Sequence, residues 1–208
     1  MGKHKETDFL VIGSGIAGLS FALKVAEKGR VCIITKSNSD ESNTKYAQGG
    51  IAAVFEENDS FEKHIRDTLI AGDGICDEEV VRMVITEAPE RVRELISWGA
   101  SFDKNEQGAY DLGREGGHSE NRVLHYKDMT GYEIERALLE KVRQHPNIEI
   151  LDHHFAVEII TQHHQGMYIN SSTPDITCFG AYVLDVITRK TDAILAKVTL
   201  VASGGAGN

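Results

Sequence analysis

The stretch DFLVIGSGIAGLSFALKVAEKGRVCIIT, residues 8–35, decides the fold. It starts with the continuous apolar run Phe9–Ile12, which is typical of a parallel strand buried on both faces. A Gly-x-Gly-x-x-Gly turn follows, and apolar residues at helical spacing then continue to Gly29, a C-terminal stop. Val31–Thr35 is a second buried strand. The stretch therefore predicts a strand–helix–strand unit of the dinucleotide-binding type.

The glycine turn has a mechanical role whichever dinucleotide binds. Gly13 permits the tight turn, Gly15 lets backbone N–H groups approach a pyrophosphate, and Gly18 lets the helix lie close to the strand. The helix N-terminus presents partial positive charge to the phosphates. The alternative is a glycine-rich turn that serves packing alone. The predicted pyrophosphate-binding residues are Gly13, Ser14, Gly15, Ile16, Ala17 and Gly18.

Lys36 stands where an acidic residue normally ends the second strand and holds a ribose hydroxyl. Three interpretations are open: a contact with a phosphate or ribose, a preference for NADP, or a solvated surface lysine. The following loop, SNTKYAQGGIAAV (residues 42–54), offers amides, hydroxyls and consecutive N–H groups near the carboxyl edge of the sheet. This polar loop suits the pyrophosphate, ribityl chain and ring edge of a flavin better than a nicotinamide cofactor.

The next part of the chain has a helical pattern from Asp59 to Gly99. Asp59 or Ser60 can cap a first helix and Asp77 a second, in which Pro89 predicts a kink or a new segment. Residues 100–128 are polar and glycine-rich and predict a long loop.

The strand-rich part of the chain follows one more helix. Thr130–Glu133 predicts a capping box that opens a helix through Gln144. Beyond this helix the spacing of the apolar residues falls toward every second residue, which predicts strands. The four predicted strands are IEIL (148–151), AVEIIT (156–161), TCFGAYVLDVIT (177–188) and AILAKVTLVA (193–202). The predicted fold class is α/β, a Rossmann-like domain over residues 1–208 with a parallel sheet plus a β-meander.

Composition excludes several function classes. The formal charge of −10 and the absence of a basic stripe argue against nucleic acid as a partner. No apolar run is long enough to span a membrane, and the N-terminus lacks a signal-peptide pattern, so we expect a cytoplasmic protein. The cysteines, Cys32, Cys76 and Cys178, are too far apart to indicate a metal cluster or a disulfide framework. Adjacent side chains of a strand point to opposite faces. We therefore expect no metal site at the two pairs of adjacent histidines, His153–His154 and His163–His164.

Five motifs occur in order: IGSGIAGLS (12–20), NTKYAQGGIAAV (43–54), DTLIAGDGICDEEVV (67–81), LGREGGHS (112–119) and ASGGAGN (202–208). Over essentially the whole chain they closely resemble the L-aspartate oxidases, which belong to the succinate dehydrogenase and fumarate reductase flavoproteins. The resemblance implies FAD, with the glycine turn at the pyrophosphate, Lys36 near the adenosine half and backbone around Val157 at the adenine. It also implies that the Ser-Gly-Gly segment, with Gly204, returns to the cofactor. The residues implied along the ribityl chain and isoalloxazine are Asn43, Thr44, Lys45, Tyr46, Ala47, Gln48, Gly49 and Gly50.

Asn43 implies how the flavin is held. Membrane-bound succinate dehydrogenases carry at this position a histidine that bonds covalently to the flavin, and an amide cannot form that bond. The resemblance therefore implies non-covalent FAD.

The implied reaction is the oxidation of L-aspartate to iminoaspartate, with oxygen or fumarate as electron acceptor, on the route to quinolinate and NAD. Glu115 matches the family position that orients substrate, by pairing with the α-ammonium group of aspartate. The alternative is a loop glutamate paired with Arg114 or Arg122. A quinolinate synthase is a candidate partner. In this family the general acid or base arginine lies in a capping domain beyond the Ser-Gly-Gly strand, with a helical domain after it, so we expect these residues to be the N-terminal FAD-binding part, with weak or no turnover.

Other functions stay open on the sequence. The nearest is a soluble fumarate reductase or succinate dehydrogenase flavoprotein, and a non-catalytic FAD-binding fragment is another. An NADP-dependent reductase would suit Lys36 but has no use for the loop at 43–50. The roles of His118, His125, Tyr46 and Tyr110 are not decided by the residues alone.

Overall fold

The computed structural model describes residues 4–170 and 172–205. The chain divides into two compact units, which are described separately. The sheet unit comprises residues 1–43 and 138–208, and the helical unit comprises residues 44–137. The single FAD-binding domain expected over 1–208 stays a prediction.

The helices and strands follow one another along the chain as listed here. They are β1 (His4–Ile12), α1 (Ile16–Val25), β2 (Val31–Ile34), β3 (Ile51–Ala52), α2 (Phe61–Ala71), α3 (Glu78–Ser97), β4 (Leu112–Gly113), β5 (Val123–Leu124), α4 (Thr130–Arg143), β6 (Ile148–Leu151), β7 (His154–Ile160), β8 (Gly180–Asp185) and β9 (Lys190–Val201). One-turn 3₁₀ helices occupy Ala26–Lys28 and Gln162–Gln165.

The sheet unit contains a six-stranded sheet in the order β6-β2-β1-β9-β8-β7. β1 runs parallel to β2 and β9, and β2 runs parallel to β6. β7, β8 and β9 form an antiparallel meander whose last strand joins the parallel part. The predicted fold class, a parallel sheet plus a β-meander, is confirmed.

The parallel strands end level with one another. Ile12, the last residue of β1, lies opposite Ile34 of β2 and Val201 of β9, and Ile34 lies opposite Leu151 of β6. The segments that follow these four strands therefore leave the sheet at one carboxyl edge, where α/β sheets bind ligands.

The core of the sheet unit explains why the apolar run of β1 lies at the centre. Leu10 packs with Cys32, Ile34, Val183 and Ile194 from neighbouring strands, and all five side chains are buried. Burial raises the pKa of the Cys32 thiol to about 11, so this cysteine is an inert core side chain. The continuous hydrophobic runs of the sequence thus become strands covered on both faces.

The two long helices of the helical unit begin where their capping residues predict. The Ser60 hydroxyl accepts a hydrogen bond from Lys63 N–H (3.2 Å) at the start of α2, and the Asp77 carboxylate caps α3. Pro89 lies inside α3, which is assigned as helix without a break from Glu78 to Ser97. Of the two expectations for Pro89, the new segment is therefore wrong, and the kink stays a prediction.

The predicted long loop at 100–128 is partly ordered as a second sheet. β4 and β5 lie in it and form, with β3, a three-stranded antiparallel sheet in the order β3-β5-β4. Strands of two residues have no detectable period, so the sequence pattern missed them.

The predicted capping box at the start of α4 is also wrong. Glu133 N–H donates to the Met129 carbonyl (3.1 Å), so the helix begins one residue earlier than a Thr130 cap requires. The Glu133 carboxylate instead accepts hydrogen bonds from Ser101 N–H (3.0 Å) and from the Arg136 guanidinium.

Candidate functional site

The glycine turn after β1 needs glycine at two of its positions. Gly13 has φ +115°, and a Cβ built on it would overlap the Ala202 carbonyl that follows β9. A Cβ on Gly18 would overlap the Gly13 carbonyl. The turn is therefore closed tightly against the neighbouring strand, and α1 begins directly above the end of β1.

The first turn of α1 leaves its N-terminus free of competing negative charge. Gly15 precedes the helix, and its carbonyl accepts the first helical hydrogen bond, from Leu19 N–H (3.0 Å). The first turn contains no acidic residue. An anion placed there meets backbone N–H groups and the positive end of the helix dipole.

Ser14 uses its hydroxyl inside the sheet unit. The side chain is buried, and its Oγ donates to the Thr35 hydroxyl (3.2 Å) at the end of β2. Because the hydroxyl is occupied by this bond, we expect any pyrophosphate contact by Ser14 to be made by its backbone N–H.

Lys36 follows β2 at the carboxyl edge and is exposed. The backbone on either side of it is held in place, because the Thr35 and Ser37 carbonyls accept hydrogen bonds from His154 N–H (2.8 Å) and His153 N–H (3.0 Å). The side chain of Lys36 thus extends from a fixed stretch of backbone, and its contact with the adenosine half stays a prediction.

Val157 lies at a β-bulge that the sequence did not reveal. The register between β7 and β8 shifts there, because Ala156 pairs with Val183 whereas Glu158 pairs with the adjacent Tyr182. The extra residue, Val157, is left out of the ladder, and such bulges free backbone polar groups for other partners. This arrangement supports the predicted role of the Val157 backbone at an adenine, which stays a prediction.

Gly204 has open space around the position that a side chain would occupy. Its φ is +79°, and a Cβ built on it would meet no atom of the described chain within 4 Å. Conformation rather than packing requires glycine there. The segment starts at Ala202, whose N–H donates to the Ile12 carbonyl (2.8 Å), and so leaves the sheet beside the glycine turn. The carboxyl edge therefore has the glycine turn, a helix start without an acidic residue in its first turn, and the open backbone at Gly204, and these features fit a dinucleotide.

In the helical unit, the predicted cofactor loop rests on the first turn of α4. Ala47 N–H donates to the Thr44 carbonyl (3.2 Å), and the Ala47 carbonyl accepts from Gly131 N–H (2.9 Å). A Cβ on Gly131 would overlap the Thr44 carbonyl, so this contact requires glycine in the helix.

The end of this loop presents side chains and backbone to solvent. The residues from Tyr46 through Gln48, Gly49 and Gly50 are exposed, and Tyr46 is 64% exposed. A Cβ on Gly50 would overlap the Leu124 carbonyl, whereas a Cβ on Gly49 would meet nothing within 4 Å of the described chain. Gly50 is therefore explained by packing, and Gly49 has room beside it for a ligand. Asn43, which belongs to the sheet unit, is exposed as well.

Glu115 lies on a tight glycine turn. Its carbonyl accepts a hydrogen bond from His118 N–H (3.1 Å), and Gly117, in the third position, has φ +88°. The side chain is exposed, and within residues 4–170 and 172–205 its carboxylate has no hydrogen bond or ion pair. Neither alternative partner, Arg114 or Arg122, forms an ion pair with Glu115 within the described residues, and Arg122 binds Asp59 and Asp67 instead.

Arg122 forms a buried charge cluster that sequence reasoning missed. The side chain is 0% exposed, and its guanidinium binds both oxygens of Asp59 (2.8 Å each) and one oxygen of Asp67 (2.6 Å). Nothing in the sequence links these groups, since 55 to 63 residues separate each pair.

The charges of this cluster are fixed by mutual contact. Burial raises the pKa of the Asp67 carboxyl, but hydrogen bonds from Ser119 N–H, Arg122 and the Ser119 hydroxyl outweigh it and lower the pKa to about 2. Burial likewise opposes ionisation of Asp59, and the bonds from Arg122 and Ser60 N–H still hold its pKa below the usual range. Both carboxylates are therefore ionised at neutral pH and bound to one arginine.

The remaining aromatic and histidine candidates have structural contacts. The His125 ring lies 3.2 Å from the Asp103 carboxylate, and the Tyr110 ring packs edge-to-face on Phe55 at 5.7 Å. His118 packs against His64. Within the described residues no group of three or more His, Cys, Asp or Glu side chains could hold a metal ion.

A family model described as an FAD binding domain matches residues 8–208. The chain belongs to the FAD-binding domain family. The predicted cofactor is thereby confirmed as FAD, and the glycine turn and open carboxyl edge are the features of this chain that fit it.

Curated relatives that match the whole chain are named L-aspartate oxidase. The chain is 53% identical over 207 residues to L-aspartate oxidase 2-a, chloroplastic, of Nicotiana tabacum, covering 100% of this chain and 31% of the relative. It is 46% identical over 209 residues to L-aspartate oxidase of Vibrio cholerae, covering 98% of this chain and 38% of the relative. The chain thus spans about a third of the length of these relatives.

Solved flavoprotein structures share the fold. The E. coli quinol fumarate reductase matches with a TM-score of 0.87 and 28% identity, covering 99% of this chain and 34% of that one. A flavocytochrome c3 fumarate reductase matches with a TM-score of 0.79 and 26% identity, covering 98% and 34%. Among the described residues there is no helix of the length and hydrophobicity needed to cross a bilayer.

Proposed function

We propose that this chain supplies the FAD-binding part of an L-aspartate oxidase, which oxidises L-aspartate to iminoaspartate. The observation that carries the proposal is Glu115, an exposed carboxylate on a glycine turn that has no hydrogen bond or ion pair among the residues the structure describes. An α-ammonium group requires an anion, whereas a dicarboxylate without an amino group gains nothing from a nearby glutamate. The relatives at 41–53% identity that carry the name L-aspartate oxidase support this choice.

The proposed cofactor contacts are given separately for each unit. In the sheet unit, the turn from Gly13 to Gly18 binds the pyrophosphate, and Lys36 and the Val157 backbone bind the adenosine half. Gly204 lies against the cofactor with no side chain in the way. In the helical unit, residues 44–50 bind the ribityl chain and the isoalloxazine.

The chemistry divides between cofactor and protein. FAD held by these residues would supply the hydride acceptor for the α-carbon of aspartate, and oxygen or fumarate would be the final electron acceptor. The task of Glu115 is to pair with the ammonium group and orient the α-carbon. Asn43 offers an exposed amide, which cannot form a covalent bond to a flavin, so we propose that FAD is held non-covalently.

The cellular setting is part of the proposal. The product of aspartate oxidation is an imine that water hydrolyses, so a quinolinate synthase is a plausible chemical consumer and partner. A cytoplasmic location is supported by the three free cysteines, Cys32, Cys76 and Cys178. The tobacco relative is named chloroplastic, so fractionation of the source cells tests this location directly.

The first test is spectroscopic. The purified, FAD-loaded gene product should show the oxidised flavin band at roughly 450 nm, and acid precipitation should release the colour into the supernatant. Colour that stays with the precipitate would overturn non-covalent binding, and failure to take up FAD would contradict the assigned cofactor residues.

The second test concerns the substrate. Under anaerobic conditions L-aspartate should bleach the flavin band, and Glu115→Gln should weaken the apparent affinity for aspartate about 10- to 100-fold, as expected for loss of a charge-assisted hydrogen bond. Glu106→Gln, which changes another exposed loop glutamate of the same unit, is the matched control and should behave as the parent.

A soluble fumarate reductase or succinate dehydrogenase is the second candidate, favoured by the match to the E. coli quinol fumarate reductase. That function predicts reduction of the flavin by succinate, no reduction by aspartate, and little effect of Glu115→Gln. These outcomes would replace the proposed substrate and leave the cofactor unchanged.

A further inference from the structure

One face of α2 meets the segment that follows Glu115. His64 and Asp67 lie three residues apart, which puts them on the same face of the helix. The His64 ring packs edge-to-face on the His118 ring, with centroids 5.7 Å apart and planes at 85°. The Asp67 carboxylate accepts hydrogen bonds from both the N–H and the hydroxyl of Ser119, each at 2.8 Å.

These two contacts anchor the glycine turn at its carboxyl end. His118 is the residue whose N–H closes the turn on the Glu115 carbonyl, and Ser119 comes next. Gly116 and Gly117 form the middle of the turn and have no side chains with which to hold it. The order of the turn therefore depends on what His118 and Ser119 touch.

Arg122 secures the same segment further along the chain. Its N–H donates to the Gly113 carbonyl (3.0 Å), which ties together the two ends of the segment that contains Glu115. Its guanidinium joins Asp67 of α2 to Asp59, the residue two before the helix begins. The helix and the segment are thus connected by buried charge as well as by the two contacts at His118 and Ser119.

The histidine pair differs from ordinary packing. His64 is 6% exposed, and Nδ1 atoms of both His64 and His118 are buried without a hydrogen-bond partner among the described residues. Burial lowers the pKa of His64, and the positive charges of Arg122 and of a protonated His118 lower it further, against the opposing effects of Asp59 and Asp67. A buried imidazole packed on a half-buried one, with both Nδ1 atoms unpaired among the described residues, is a costly way to fill space that an apolar side chain would fill, which indicates a role beyond packing.

We propose that His64 and Asp67 are positioning residues that hold the turn at 115–118 so that the Glu115 carboxylate is presented to the ammonium group of the substrate. The inference rests on the proposed function, because it needs Glu115 to bind substrate. An exposed glutamate on a Gly-Gly turn would otherwise sample many conformations, and fixing it only on binding would cost affinity.

The test uses the complete gene product loaded with FAD. Asp67→Asn and His64→Leu should each raise KM for L-aspartate about 10-fold, while kcat and FAD content stay within about 2-fold of the parent. Arg66→Gln, on the same helix but exposed and without a hydrogen bond or ion pair within the described part of the chain, is the matched control and should leave KM unchanged.

A double-variant measurement separates positioning from general damage. In a Glu115→Gln background, Asp67→Asn should raise KM no further, because the group being positioned is already gone. Equal effects in both backgrounds would overturn the inference. Ser119→Ala leaves α2 intact and removes one hydrogen bond to Asp67, so a rise in KM of about 3-fold is expected even if the other variants fold poorly.

A second readout does not depend on catalysis. Amide hydrogen exchange at His118 and Ser119 should accelerate in Asp67→Asn and in His64→Leu but not in Arg66→Gln. If Glu115→Gln leaves KM for aspartate unchanged, the proposed function fails, and this exchange result then decides alone whether α2 orders the turn. Unchanged exchange in both α2 variants would overturn the inference whatever the substrate.

Discussion

The sheet unit and the helical unit are each stabilised internally by a different kind of interaction. In the sheet unit, hydrophobic strands pair in register and bury a continuous core, and each strand can be identified from its own residues. In the helical unit, the segment with Glu115 is held by a buried arginine and two carboxylates distant in sequence. Apolar patterns are local and predict elements, whereas polar clusters of this kind arise only when the chain folds.

The largest expected effect comes from breaking the polar cluster. Arg122→Leu leaves Asp59 and Asp67 buried without their cation, and it should lower the free energy of unfolding by about 3–5 kcal/mol. Trp98, the single tryptophan, directly follows α3, so its fluorescence during urea unfolding reports on the helical unit.

The control for this variant is an exposed arginine. Arg82→Leu removes ion pairs with Glu62 and Glu78 at the surface of the same unit and should cost no more than about 1 kcal/mol. Equal effects of the two changes would show that the buried cluster is not what stabilises this unit.

The next effect belongs to the sheet unit. Gly13→Ala places a methyl group against the Ala202 carbonyl at a backbone φ of +115°, and it should cost about 3 kcal/mol and abolish FAD retention. Thermal unfolding and flavin absorbance measure the two consequences. A variant of normal stability that still binds FAD would contradict both the packing and the assigned role of the turn.

Adjacent glycines in the helical unit provide a sharper comparison. Gly50→Ala should cost about 2 kcal/mol because its methyl group would overlap the Leu124 carbonyl, whereas Gly49→Ala has open space and should stay within about 0.5 kcal/mol of the parent. If Gly49→Ala nevertheless weakens FAD binding, the open space beside Gly49 is occupied by the cofactor. Urea unfolding of the FAD-free protein and FAD titration together distinguish these outcomes.

The smallest expected effect is a loss of folding stability at low pH. The pKa of Asp67 in the folded chain is about 2, below its usual 3.8, so the folded state binds fewer protons than the unfolded state between these values. Asp67 therefore contributes up to about 2 kcal/mol above pH 3.8, and this contribution is lost as the pH falls toward 2. Trp98 fluorescence across this range should show a shallower loss of stability in Asp67→Asn than in the parent, and parallel curves would refute the assignment.

The predicted elements fail where their residues are governed by contacts outside the local sequence. The apolar runs of β1 and β2 and the caps of α2 and α3 were all predicted, because each is a property of consecutive residues. The capping box at Thr130 was not observed, since Glu133 binds Ser101 and Arg136 instead. The short strands β4 and β5 have only two residues each and depend on one another for their hydrogen bonds.

The candidate site follows the same division. The glycine turn could be assigned from spacing, because its conformational demands are local. The bulge at Val157 depends on how β7 and β8 align, and the surroundings of Glu115 depend on α2, so neither could be read from the residues around them.

By itself the sequence determined the α/β class, the dinucleotide turn and the candidate residues from Gly13 to Gly204, since periodicity, glycine spacing and motif order are written along the chain. Only the tertiary structure decided which charged side chains pair with one another. Arg122 binds Asp59 and Asp67, whereas the Glu115 carboxylate has no ion pair within residues 4–170 and 172–205. The physical reason is that the pairing of buried charges depends on distances in space, which the order of residues does not contain.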